Sequence, residues 1–197
     1  MIVATLGPDG NNHVLVLGRY LEARGLADAE VRLCDDFPAA FAALAAGEVD
    51  RVLQCTAHFS HADCVGRYMH RAFPVDTFVA GSYPLVLVAR REVAAPRQVA
   101  RQPATRYYTD LSGFAEEIDV PTTVGVAEGL LEGRFEAGIC ARYTLEAHPD
   151  TLRLVEDLGP ALDVWVVYGR VPLPDGHPLG LSSRPARARP GPDGRSR

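Results

Sequence analysis

The feature that most constrains this chain is an alternation at its N-terminal end, where short apolar runs are each followed by a stretch of helical periodicity. Ile2–Leu6 reads as a strand, closed by the turn Gly7-Pro8-Asp9-Gly10. Residues 12–25 fit a helix with Val14, Leu15, Leu17, Leu21 and Leu26 on its apolar side, and Asn11 or Asn12 can cap it. Residues 31–34 read as a second strand, Phe37–Ala46 as a second helix stopped by Gly47, and 51–54 as a short buried strand. The order β-α-β-α-β is the signature of a parallel sheet covered by helices.

The alternation continues. Residues 62–73 read as a helix, and 77–79 and 85–90 as strands around the turn Gly81-Ser82-Tyr83-Pro84. Strands are expected at 99–102, 105–109, 137–140, 152–155 and 163–168, and helices at 112–118, 124–133 and 143–147. The expected fold class is α/β with two lobes and a cleft between them. Residues 1–78 and 156–173 form the first lobe and 79–155 the second. Ligands in such folds sit where helix N-termini meet the C-ends of strands. From Pro172 onward Pro, Gly, Arg and Ser dominate, and 174–197 is expected to be a disordered tail.

Composition narrows the chemistry. All 20 basic residues are arginine. Without lysine, Schiff-base catalysis, a covalent PLP enzyme and a Walker A loop are excluded, and no cofactor is expected. The net charge is -5; the stretch past Pro174 has five arginines and two aspartates (+3), which leaves -8 for the rest. An acidic body argues against nucleic acid as a partner. No apolar run approaches the roughly 20 residues of a membrane span, and Met1 to Leu6 has no basic n-region. The four cysteines form no CxxC pair, so reduced thiols in the cytoplasm are expected.

Four segments are candidates for chemistry. In the first, Gly10, Asn11, Asn12 and His13 open a helix, where free N–H groups and the helix dipole suit a carboxylate. An ordinary capped helix is its plainer reading. The second runs from Cys55 and Thr56 to Cys64 after a buried strand. Cys55, His58, His61 and Cys64 recur every three residues, but on a helix each such step falls about 60° short of a full turn. They fan out instead of closing a tetrahedron, so no metal is expected. His58 or His61 remains a candidate general acid or carboxylate donor. In the third, Thr122 or Thr123 caps a helix and could form a second carboxylate seat. In the fourth, Arg106 could pair bidentately with a carboxylate, or be a surface arginine. Trp165 and Phe59 read as core or cleft walls. No GxSxG elbow is present.

The opening Thr5-Leu6-Gly7-Pro8-Asp9-Gly10 resembles the start of the prephenate dehydratase family, whose first strand runs into a Gly-Pro-x-Gly-Thr turn. Further stretches follow in the same order. Residues 52–58 stand where that family has a strand and an Glu-Asn-Ser-type loop. Residues 76–91 resemble the strand pair leading into its second lobe. Thr122-Thr123 through Arg134-Phe135-Glu136-Ala137-Gly138-Ile139 resemble its capped helix and following strand. The likeness spans roughly residues 2–170. It implies a periplasmic-binding-protein-like fold with the ligand in the cleft.

The departures refine that implication. The family's turn threonine is Asn11 here, and its nearby serine falls in the region of His13. Its terminal Thr-Arg-Phe, tied to loss of the ring hydroxyl, is replaced by Asp163-Val164-Trp165-Val166-Val167-Tyr168-Gly169. No ACT regulatory domain is expected. This pattern is similar to the bacilysin-type prephenate decarboxylases of secondary metabolism, which implies removal of carbon dioxide without aromatisation. On that reading the Gly10–His13 helix start holds one carboxylate of a dicarboxylate ligand. Thr122 and Thr123, with Arg106, hold the other, and Thr56 and Ser82 line the site. His58 is the first candidate proton donor and His13 the second. A homodimer is an open expectation. The alternatives are a dehydratase giving phenylpyruvate, arogenate or a modified prephenate as substrate, and a non-catalytic carboxylate-binding module.

Overall fold

The computed structural model describes residues 1–180. From residue 181 onward the expected tail lies outside the described residues. Eight strands form one sheet in the order β2-β1-β3-β8-β4-β7-β5-β6. At one end β1 (Ile2–Leu6) lies between β2 (Glu30–Cys34) and β3 (Arg51–Cys55), all parallel. At the other, β5 (Gln98–Arg101) lies between β6 (Glu116–Asp119) and β7 (Ala137–Ala141), again parallel. Joining the two ends are β4 (Phe73–Arg90) and β8 (Leu152–Gly169), 18 residues each. They pair antiparallel from Phe73↔Gly169 to Arg90↔Leu152. β8 also pairs with β3, and β4 with β7.

Helices α1 (Asn12–Ala23), α2 (Phe37–Ala46) and α3 (His61–Tyr68) pack on the first end of the sheet, and α4 (Thr123–Leu131) and α5 (Arg142–Ala147) on the second. Their boundaries have local causes. Asp36 caps α2 by accepting the Ala39 N–H at 2.7 Å, Pro38 fits the first turn, and Gly47 stops the helix at φ 81°. The first end buries Phe37, Phe41 and Leu44 on one face and Leu17, Leu53 and Trp165 on the other. The second buries Val86, Leu130 and Leu152 on one face and Leu85, Leu87 and Ile139 on the other. Each such side chain contributes roughly 1.5–3 kcal/mol of burial free energy.

Several expected elements differ. The helix expected at 62–73 ends at Tyr68, and Phe73 already belongs to β4. Pro74 accounts for this, because the residue before a proline is pushed from the helical to the extended region. The strands expected at 77–79 and 85–90 are parts of one strand. Gly81-Ser82-Tyr83-Pro84 shifts the register against β8 instead of reversing the chain, and Gly and Pro are tolerated at such bulges. Likewise 152–155 and 163–168 belong to the single strand β8, with Pro84 opposite Pro160.

The strand expected at 105–109 is absent. Pro103–Thr105 is a 3-10 turn, capped by the Gln102 side chain accepting the Ala104 N–H at 2.7 Å. In place of a helix at 112–118 stands the edge strand β6. Glu117 and Asp119, two residues apart and so on one face of that strand, hold the buried Arg101 at 2.7 and 2.6 Å. That ion-pair cluster fixes the end of the sheet.

Gly138 lets α4 lie close to the sheet. A Cβ there would sit 2.6 Å from Val126 Cγ1 and 3.0 Å from the Ala100 carbonyl oxygen. Gly138→Ala is expected to lower the unfolding free energy by about 1–3 kcal/mol in urea titrations. Gly18→Ala, at a helical site with nothing within 4 Å, is the control and should stabilise by about 0.5–1 kcal/mol.

Candidate functional site

A cavity with an empty volume of about 620 Å³, open mouth included, lies between the N-termini of α1 and α4. Leu6, Leu85 and Trp165 give it an apolar floor, and Trp165 is held by its indole N–H donating to the Ala80 carbonyl at 3.2 Å. No arginine lines it among the described residues, and the chain has no lysine.

The α1 end is largely capped by its own chain. Asn11 Oδ1 accepts from the His13 and Val14 amides at 2.7 and 3.0 Å, and its Nδ2 donates to the Leu6 carbonyl at 2.9 Å. Asn11 reaches the cavity but has spent its polar atoms on holding the turn. Asn12 Oδ1 accepts the Tyr83 N–H from β4 at 2.9 Å, so its amide nitrogen is the group left for a ligand. At α4, Thr122 Oγ1 accepts the Gly125 N–H at 3.0 Å. The amides of Thr123 and Val124 have no acceptor among the described residues. The more available anion seat is therefore the α4 end.

Two histidines stand between these ends. The His13 ring packs against Phe37, Trp165 and His58, with centroids 5.1, 5.1 and 5.7 Å away. Its Nε2 is buried and has no partner. Burial, reinforced by His58, pulls its pKa down to about 3. His58 Nδ1 faces both the Ser60 hydroxyl at 2.8 Å and the Ser60 N–H at 3.3 Å. A backbone N–H can only donate, so Nδ1 is an acceptor and the ring proton sits on Nε2. Burial, with a smaller contribution from His61, lowers the His58 pKa to about 4. Both rings are neutral at neutral pH. A neutral imidazole donates a hydrogen bond but is a poor acid, which weakens the expected role of His58 as proton donor.

The remaining expected residues divide clearly. Ser82 lines the cavity, donating to the Tyr83 carbonyl and accepting the Ala161 N–H at 2.8 and 2.9 Å. Gly10, at φ 81°, stands behind the lining and accepts the Tyr143 hydroxyl at 3.0 Å through its carbonyl. Thr56 also lies outside, with Oγ1 donating to the Val164 carbonyl at 3.1 Å. Arg106 is on the surface 3.6 Å from Glu117, in a separate shallow depression. It is therefore not among the groups that reach the cavity: after the 3-10 turn Pro103–Thr105 the chain runs as turn and bend through 106–109 instead of as a strand.

The four histidines and cysteines spaced by three also separate. His61 Nε2 bonds the Tyr168 hydroxyl at 2.8 Å, while Cys64 is buried away from Cys55. No group of three or more His, Cys, Asp or Glu among the described residues is arranged to hold a metal ion.

Sequence reasoning missed Asp163 and Tyr108, and weighed Cys55 only as a metal ligand; all three line the cavity. Asp163 was legible in principle, because it lies two residues before Trp165 and so on the same strand face. Burial raises its carboxyl above the ordinary range. The Cys55 thiol is raised to about 11, chiefly by burial and then by Asp163. It is a thiol, not a nucleophilic thiolate, at neutral pH.

No family model matches the chain, and no curated protein matches it by sequence. Solved structures do share its fold. A prephenate dehydratase from Arthrobacter aurescens, solved in complex with L-Phe, superposes with a TM-score of 0.61 at 21% identity over 87% of this chain and 61% of that one. An ABC transporter protein from Parabacteroides distasonis gives 0.55 at 20% identity over 85% and 65%. The periplasmic VFT2 domain of Bordetella pertussis BvgS gives 0.52 at 15% identity over 86% and 80%. The chain thus spans less than two thirds of the length of the first two. The fold is the expected α/β, periplasmic-binding-protein-like one. No helix among the described residues is long and apolar enough to cross a membrane.

The lowered pKa values have a thermodynamic consequence. Below the ordinary histidine value of 6.5, and down to about 4 for His58 and about 3 for His13, the unfolded chain binds protons that the folded chain refuses. Acidification through that window therefore favours unfolding. The melting temperature is expected to fall between pH 7 and pH 4.5 by on the order of 10 °C from these two groups. In thermal melts, His13→Gln should flatten that fall.

Proposed function

We propose that this chain binds prephenate, or a close analogue with the same two carboxylates, in the cavity and decarboxylates it without aromatising the ring. The product is a dihydro-4-hydroxyphenylpyruvate, a precursor of non-proteinogenic amino acids. The observation that carries this reading is the meeting of the α1 and α4 N-termini across one apolar-floored cavity, in a fold shared with a prephenate dehydratase. The lobes on this reading are residues 1–78 with 156–173, and residues 79–155.

Chemistry supports decarboxylation over dehydration. Carbon dioxide leaves more readily when its carboxylate is transferred from water to an apolar wall, and Trp165, Leu6 and Leu85 supply one. The exposed α4 amides beside Thr122 and Thr123 suit the side-chain carboxylate. Asn12 and the neutral His58 Nε2–H are uncharged donors for the keto and hydroxyl groups. The Thr-Arg-Phe tied to hydroxyl loss is replaced by the stretch beginning at Asp163. A second reading is a binding module without turnover, and the likeness to the transporter protein and the BvgS domain favours it.

Incubation with prephenate near neutral pH tests both. Release of carbon dioxide with a non-aromatic keto acid is the expected outcome. Phenylpyruvate identifies a dehydratase, and saturable binding with no loss of substrate identifies a binder. Thr122→Ala removes the α4 cap, which typically costs about 1 kcal/mol. It should weaken prephenate binding about tenfold while leaving the spectrum of the product unchanged.

A further inference from the structure

The acidic group in the cavity has nothing to neutralise it. Asp163 lies on β8 opposite Ala80 and lines the cavity together with both helix starts. Its carboxyl is half-buried and makes no hydrogen bond or ion pair among the described residues. The titratable groups facing it are Cys55 from β3 and Tyr108 from the loop after the 3-10 turn. Both are held in their neutral forms by burial. His13 and His58, elsewhere in the cavity lining, are neutral as well. No cationic side chain reaches this space among the described residues. A carboxylate ligand entering it would set two or three negative charges in one poorly solvated volume. Like charges in such a site are resolved by protonating one of them.

We propose that Asp163 takes up a proton when the ligand binds and donates it to the substrate ring as carbon dioxide leaves. This rests on the decarboxylase reading above and names the acid that reading needs. The bond from the quaternary ring carbon to its carboxylate breaks, and its electron pair becomes a new ring double bond. The displaced ring π pair takes the proton from Asp163, forming a C–H bond. Carbon dioxide departs, the hydroxyl stays, and Asp163 is left as a carboxylate that solvent reprotonates for the next cycle. No oxidant or reductant is consumed. Of the groups lining the cavity, this carboxyl is the acid best matched to the step: the neutral imidazoles, the Cys55 thiol and the Tyr108 phenol are all weaker acids.

Asp163→Asn is the matching variant, equal in size and unable to give a proton. Proton uptake is read by a pH indicator in stopped flow, in the binding phase before carbon dioxide is released, and turnover by loss of substrate. The wild-type protein should take up close to one proton per prephenate bound, and the variant none. The variant should bind prephenate at least as tightly, because a repulsive charge is gone, and lose turnover by about 10²–10⁴-fold. The wild-type rate should fall as pH rises through the titration of Asp163 in the complex, and Asp163→Glu should restore part of the activity with a shifted pH profile. Equal proton uptake by wild type and Asp163→Asn overturns the placing of the proton. Unchanged turnover in Asp163→Asn overturns the transfer step. Loss of prephenate binding by a folded Asp163→Asn overturns both, and assigns Asp163 to a cationic ligand group instead. Wild-type protein that binds prephenate but never consumes it overturns the decarboxylase reading, and the transfer step with it.

Discussion

Everything in this molecule hangs on the pairing of β4 with β8. Each strand is 18 residues long, about three times the common length. Together they are shared by both ends of the sheet, β8 pairing with β3 at one end and β4 with β7 at the other. Without them the N-terminal parallel strands and the later ones would be separate, undersized units. The register shifts near Gly81–Pro84 fall midway along the pair. A bulge adds local twist, and here that happens beside the cavity. The ribbon thus joins the two ends and also brings Ser82, Asp163 and Trp165 to the space between them.

How much of this was legible depended on where the information was local. Helices α1, α2 and α4 announce themselves through Asn11, Gly47 and Thr122, because a cap is a contact made within a few residues. The parallel front strands were equally plain, since each is a short apolar run bounded by glycine or an acid. The long strands were not. Gly81-Ser82-Tyr83-Pro84 and Leu158-Gly159-Pro160 have the chemistry of chain reversals, and only the partner strand, some 75 residues away in sequence, converts them to bulges. The acidic run Glu116-Glu117-Ile118-Asp119 has a solvated character until Arg101 is placed against it.

The site shows the same division. Seven expected residues line the cavity: Asn11, Asn12, His13, His58, Ser82, Thr122 and Thr123. All but Ser82 sit at or just before a helix start, which a sequence reveals. Arg106 did not join them, because its place depended on a strand that tertiary structure replaced with a turn. Protonation was the least legible property. Histidine suggests an acid near neutrality, yet burial keeps both rings uncharged, His13 among aromatic rings and His58 beside it. The cavity's polarity comes from backbone amides and neutral rings, with its one acid set among them.

Trp165 is the single tryptophan of the chain. It is part of the cavity wall, fixed by its indole N–H and in edge contact with the His13 ring. Its fluorescence therefore originates at one place in the molecule, and that place is the candidate site. Emission colour reports how dry the wall is, and quenching reports an imidazolium forming beside it. The seven tyrosines, scattered over both ends of the sheet, add nothing when excitation is kept to the red edge of the indole band. Occupancy of the cavity can thus be followed in real time without attaching a dye.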